Sequence, residues 1–160
     1  RASMTTSLHS AEAIGLEISA RLQACTIAQG AETDLGASVF RGRRVIDDDQ
    51  IPCTAVIEGQ DEVEENDGSR EAQARVKQDY VLLAYIPCDP RNPNDAAHRA
   101  LRDMKRAVFS TAGKSDRTLG GKVKRVRYRG RDIGPRGDGA AFVVAALEIN
   151  VEYAEDLSAP

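Results

Sequence analysis

Apolar residues recur every three or four positions in two stretches of the chain and cluster at strand-like spacing in several others. Over residues 8–25, Ile14, Ile18, Leu22 and Cys25 fall on one side of a helix, with Glu12, Glu17 and Arg21 off that side. Ser7 or Ser10 is placed to cap it. Residues 26–37 are small, polar and glycine-containing, which predicts a loop. Ser38–Arg43 predicts a short strand and Asp47-Asp48-Asp49 a turn. Ile51-Pro52 returns to extended chain, because a residue before proline avoids the helical region. Thr54–Gly59 predicts a second strand centred on Val56 and Ile57.

Acidic side chains then crowd Asp61–Glu71, around the turn signal Asn66-Asp67-Gly68-Ser69. A hairpin tip there leads into a third strand ending in Tyr80-Val-Leu-Leu-Ala-Tyr-Ile86. That unbroken apolar run predicts a central strand covered on both faces. Pro87, Pro90 and Pro93 stop it. A second helix follows over Asp95–Phe109, capped by Asn92 or Asn94, with Ala97, Leu101, Met104 and Val108 on one face. Asp95 in its first turn and Lys105 and Arg106 in its last suit the helix dipole. After a loop at Gly113–Gly121 come two long strands, Lys122–Arg131 and Ala140–Tyr153, joined around Gly137-Asp138-Gly139. The order helix, strand, strand, strand, helix, strand, strand predicts an α+β fold: a mostly antiparallel sheet of about five strands packed with two α-helices. Residues 8–154 read as one domain. Residues 1–7 read as a disordered N-terminus with a cloning scar before Met4, and 155–160 as a flexible C-terminal tail.

Composition narrows the chemistry. With 160 residues the chain suits one domain with a real core. Trp is absent and aromatics are 4%, so that core rests on Val, Ile, Leu and Ala. The net charge of -3 gives no general basic excess toward nucleic acid or anionic membranes. Cys25, Cys53 and Cys88 are odd in number and widely spaced, signalling neither a disulfide framework nor a zinc site. No apolar run approaches the ~20 residues of a membrane span, and no signal peptide is visible. His9 and His98 lie on different helices without ligand partners at metal spacing, and Ser110-Thr111 lack a nearby base. The expectation is therefore a non-enzyme, with no catalytic, cofactor-binding or metal-ligating residues.

The charged segments remain. In a regular strand Arg125, Arg127, Arg129 and Arg131 share one face. One reading leaves them solvated and paired across strands with Glu148 and Glu152. A second makes them a subunit interface that meets an acidic surface of another copy, with Glu62, Glu64 and Glu65 supplying the opposite charge. A third is a nucleic-acid-binding module following a phosphate backbone along the strand, although Tyr128 is its one aromatic.

In order, the opening helix ending Ala20-Arg-Leu22, the segment Val39-Phe-Arg-Gly-Arg43, Ile51-Pro52 leading into a strand, the proline break before helix Asp95–Phe109, and the basic strand closing on Glu148-Ile-Asn-Val-Glu-Tyr153 form one pattern. Over most of residues 10–154 it resembles the tail terminator family of long-tailed bacteriophages, the lambda-type minor tail proteins. The resemblance implies a phage or prophage structural subunit that forms a hexameric ring. That ring would cap the tail tube, end its polymerisation and present the head-tail joining surface. The implied partners are further copies of the chain, the tail tube protein and head–tail connector proteins, with no membrane and no sequence-specific nucleic acid. The implied location is the virion tail, and the host bacterial cytoplasm during assembly. A channel that passes DNA should repel phosphate, which turns the arginine face toward a neighbouring subunit.

Overall fold

In a computed structural model the described residues are 10–65, 73–134 and 136–160. Ser7, His9, the expected disordered N-terminus and the expected hairpin tip at Asn66–Ser69 lie outside them. The described residues form two α-helices and a five-stranded sheet. Helix α1 is Ser10–Gln23 and α2 is Pro93–Phe109. Strands β1 (Val39–Arg41), β2 (Cys53–Glu65) and β3 (Gln73–Pro87) lie between the helices. After α2 comes a small hairpin of β4 (Ser110–Thr111) and β5 (Lys114–Ser115), where only a loop was expected. Strands β6 (Arg125–Ile133) and β7 (Phe142–Asp156) end the fold. The sheet runs β1-β2-β3-β7-β6. The β1–β2 pair is parallel and the other neighbours are antiparallel. The architecture is thus α+β, with β3 at its centre.

Both helices lie on one face of this sheet. The stripe Ile14, Ile18 and Leu22 of α1 and the stripe Ala97, Leu101, Met104 and Val108 of α2 close onto Val76, Tyr80, Leu82, Ala84 and Ile86 of β3 and onto Leu147, Ile149 and Val151 of β7. Alternate residues of a strand point to opposite faces, so the even positions of β3 enter this core and the odd ones leave it. The expectation that β3 is covered on both faces therefore fails. It is central within the sheet plane, yet helices pack on one face of it alone among the described residues. A second correction concerns the C-terminus. Ala74 pairs with Glu155 and Gln73 with Asp156, so the start of the expected tail is strand.

Polar groups on the helix side are individually satisfied. The buried carboxylate of Asp103 accepts the Thr33 hydroxyl at 2.6 Å and the N–H groups of Thr33 and Glu32 at 2.8 and 3.1 Å. These bonds fasten the 26–37 loop to α2. The loop packs so closely that a Cβ on Gly36 would run into the carbonyls of Leu22, Gln23 and Cys25. Arg21 performs the same task for the segment after β5. It donates to Asp116 and Glu17, both at 2.8 Å, and to the carbonyls of Ala107 and Ser110. Asp116 also accepts the N–H and hydroxyl of Thr118 at 2.8 Å and the N–H of Gly120 at 2.9 Å. The Arg21 guanidinium, followed by Thr118, holds the Asp116 carboxyl far below the usual carboxylate range.

Candidate interaction surface

The face turned away from the helices is the candidate site. Cα partners across a sheet share a face, so this surface can be followed in rows perpendicular to the strands. One row reads Phe40, Ala55, Leu83, Ala146 and Asp132 across all five strands. On one side of it lie Cys53, Tyr85 and Val144, and on the other Ile57, Val81, Glu148 and Gly130. The small residues Cys53 and Ala55 are closed off, while Phe40, Val81, Leu83, Tyr85 and Val144 are half-buried. None of these joins the core beneath the helices. The Arg43 guanidinium lies 4.4 Å above the Phe40 ring. Burial pushes the Cys53 thiol and the Tyr85 hydroxyl upward in pKa, the response of polar groups held in apolar surroundings. One-sided sheets usually turn polar residues to water. This one instead presents an apolar patch centred on Leu83.

Farther along the strands the same face becomes charged. One row places Asp79 beside Asn150 and Arg127. The next reads Glu62, Lys77, Glu152 and Arg125, alternating in sign across four strands. A third reads Glu64, Arg75 and Ala154. Glu152 is the hub of this lattice. Arg127 donates to it at 3.0 Å, and Lys124 and Arg75 stand at 3.7 and 3.8 Å. Its side chain is only 6% exposed. The hydrogen bond from Arg127 is the main cause that lowers its pKa, against the opposing effect of burial. Asn150 donates to Asp79 at 2.8 Å, and Arg75 also approaches Glu64 at 3.8 Å.

The four arginines do not share one face. A register shift between Tyr128 and Gly130 adds a residue to β6 and reverses its alternation. Arg125 and Arg127 lie on the open face, and Arg129 lines a shallow recess there with Glu62, Lys77 and Asp79. Arg131, opposite Leu147, lies on the helix side, in a cleft with His98, Arg102, Lys105 and Arg106 of α2. Gly130 was the available signal, since glycine within a strand marks a bulge. The acidic segment divides too. Glu62 and Glu64 are on the open face, whereas Glu65, paired with Ala74, is on the other. Arg127 meets Glu152 of its own chain, the cross-strand pairing expected of a solvated face. No ion pair within the described residues reaches Arg125, Arg129 or Arg131.

Sequence reasoning missed Arg75, which approaches both Glu64 and Glu152, Lys77, which lies between Glu62 and Glu152 in register, and the apolar patch. The patch is visible in the sequence as the run Val81-Leu-Leu-Ala-Tyr85, whose unbroken apolar character reads equally as a doubly covered strand. Among the described residues no cluster of His, Cys, Asp and Glu is arranged as a metal site, and no helix is long and apolar enough to cross a membrane. Comparison of the chain with protein-family models and with curated proteins gave no match.

Proposed function

We propose that this protein is a structural assembly subunit: a phage or prophage tail terminator that forms a ring, hexameric in the family it resembles, caps the tail tube and offers the head-tail joining surface. The observation that carries the assembly reading is the apolar patch around Leu83, on a sheet face that no described helix covers. Contiguous half-exposed apolar surface rimmed by charge is characteristic of protein contact sites. The specific role as tail terminator rests on the order of elements and the resemblance described above. In this reading the partners are further copies of the chain, the tail tube protein and head–tail connector proteins, and the role requires no catalytic chemistry.

Nucleic-acid binding along β6 draws less support. The bulge parts Arg131 from the other arginines, and Glu152 neutralises Arg127, so the strand offers no continuous phosphate track. Multi-angle light scattering of the purified protein, alone and with tube protein, tests the proposal. A closed ring that binds tube ends and shortens tubes is the expected result. A strict monomer at high concentration, still monomeric with tube protein present, would overturn it.

A further inference from the structure

The sheet has two open edges of opposite charge. β1 pairs with β2 only at Thr54, Ala55 and Val56, so the stretch of β2 from Ile57 to Glu65 has no described strand beside it on that side. Its side chains carry acid on both faces: Glu62 and Glu64 on the open face, Asp61 and Glu65 on the other. At the far side of the sheet, β6 is the terminal strand. Its bulge spreads positive charge to both faces as well, with Arg125, Arg127 and Arg129 on one and Arg131 on the other. At Val126 the place of a neighbouring strand is filled by Arg117, whose carbonyl accepts the Val126 N–H at 2.7 Å and whose guanidinium donates to the Val126 carbonyl. No described strand pairs with the outer side of β6.

We infer that β6 of one copy faces the free edge of β2 in the next copy, antiparallel to it and held by side chains because Arg117 already closes the main chain of β6 at Val126, so that neighbouring subunits join edge to edge. The inference rests on the ring reading and specifies its contact. The strand directions suit it. β2, β3, β7 and β6 alternate in direction, so a copy added in the same orientation brings an antiparallel β2 edge to β6. The charges suit it too. The row Glu62, Lys77, Glu152, Arg125 ends on a cation with no ion pair among the described residues, and a neighbour's Glu62 continues the alternation of sign. Long exposed edges ordinarily invite indiscriminate pairing, which like charges suppress. Here β6 repels β6 and the β2 edge repels its own kind, while the unlike pair attracts. Such a contact is heterologous, and heterologous contacts close into rings when the rotation permits.

The test uses two reversed full-length variants, R125E/R129E/R131E and E62R/E64R/E65R. Each has two edges of like sign. Each should run as a monomer by light scattering, with assembly weakened at least tenfold, and an equimolar mixture should recover the ring mass with the two variants alternating. The neutral variants R125Q/R129Q/R131Q and E62Q/E64Q/E65Q guard against misfolding. They should keep a wild-type melting temperature and lose assembly to a smaller degree. A wild-type ring that persists in both reversed variants, or folded reversed variants that fail to recover on mixing, would overturn the edge contact and leave the ring reading intact. A wild-type chain that stays monomeric with tube protein present would overturn the ring reading itself, and the edge contact with it.

Discussion

Adjacent residues of β3 look out on different worlds. Leu82 is fully buried beneath the helices, whereas Leu83 is half-buried on a face that no described helix covers. On the helix side, the core residues are sealed and the polar groups that tie the loops down have dedicated partners, as Asp103 and Asp116 do. On the open side, Phe40, Val81, Leu83, Tyr85 and Val144 stop at the surface and charges form a shared lattice around Glu152. The difference separates residues that hold the chain together from residues free to hold something else. A sheet needs one covered face to be stable. The apolar character of the second face exceeds what folding demands.

The largest expected effect tests that division directly. Leu82→Ala should destabilise the fold by about 2–5 kcal/mol, the usual cost of emptying a sealed core site. Leu83→Ala should cost about 1 kcal/mol, since only part of the side chain is removed from water. Urea denaturation of both variants measures the contrast. Leu83→Lys should then abolish association with tube protein by light scattering while the chain still unfolds cooperatively. Equal losses at the two positions would mean that the open face is covered after all.

A smaller effect is expected where the helix side is tied by charge. Asp116→Asn removes the anion that Arg21 and Thr118 hold, at a cost of about 2 kcal/mol. The pH dependence has a definite sign. Because the pKa of Asp116 in the fold lies below its unfolded value, its contribution is fully present above the ordinary carboxylate range, about pH 4. It is lost as pH falls through and below that range. Glu152, also lowered, adds to the same acid side. Thermal melts between pH 7 and pH 3 should show stability declining toward acid, and Asp116→Asn should flatten that slope.

Much of this fold was legible because helical stripes and strand runs are local. Ile14, Ile18 and Leu22, and Ala97, Leu101, Met104 and Val108, were identified from spacing alone and are all buried. The order of elements followed from them. What spacing could not reveal was which side of β3 the helices would choose. An apolar run reads the same whether its second face is covered by a helix, by another protein, or by neither. The arginine row failed for a related reason. Alternation carries a side chain to a face only while the register holds, and the single shift at Gly130 moved Arg131 to the other side. Arg75 and Lys77 escaped notice because nothing in their own segment shows that β7 would place Glu152 beside them.

The finest contrast lies within the charged lattice, between two arginines on the same face of β6. Arg127 donates to a carboxylate that is almost closed to solvent, while Arg125 ends its row without an ion pair in the described chain. Arg127→Ala leaves Glu152 with only the more distant Arg75 and Lys124, so stability should fall by about 1 kcal/mol, a loss that salt changes little because the carboxylate is almost closed to solvent. Arg125→Ala removes no such bond and should change the unfolding midpoint by no more than the ±0.5 kcal/mol typical of surface substitutions. If the lattice served folding alone, Arg125 would then be silent in every assay. In the edge-to-edge arrangement it is the cation that meets the next subunit's Glu62. Arg125→Ala should therefore weaken assembly severalfold while leaving the monomer unchanged, and Arg127→Ala should lower the monomer's stability more than it affects the contact. Unfolding curves and association curves measured on the same two proteins separate these roles, because each variant is expected to move mainly one of the two.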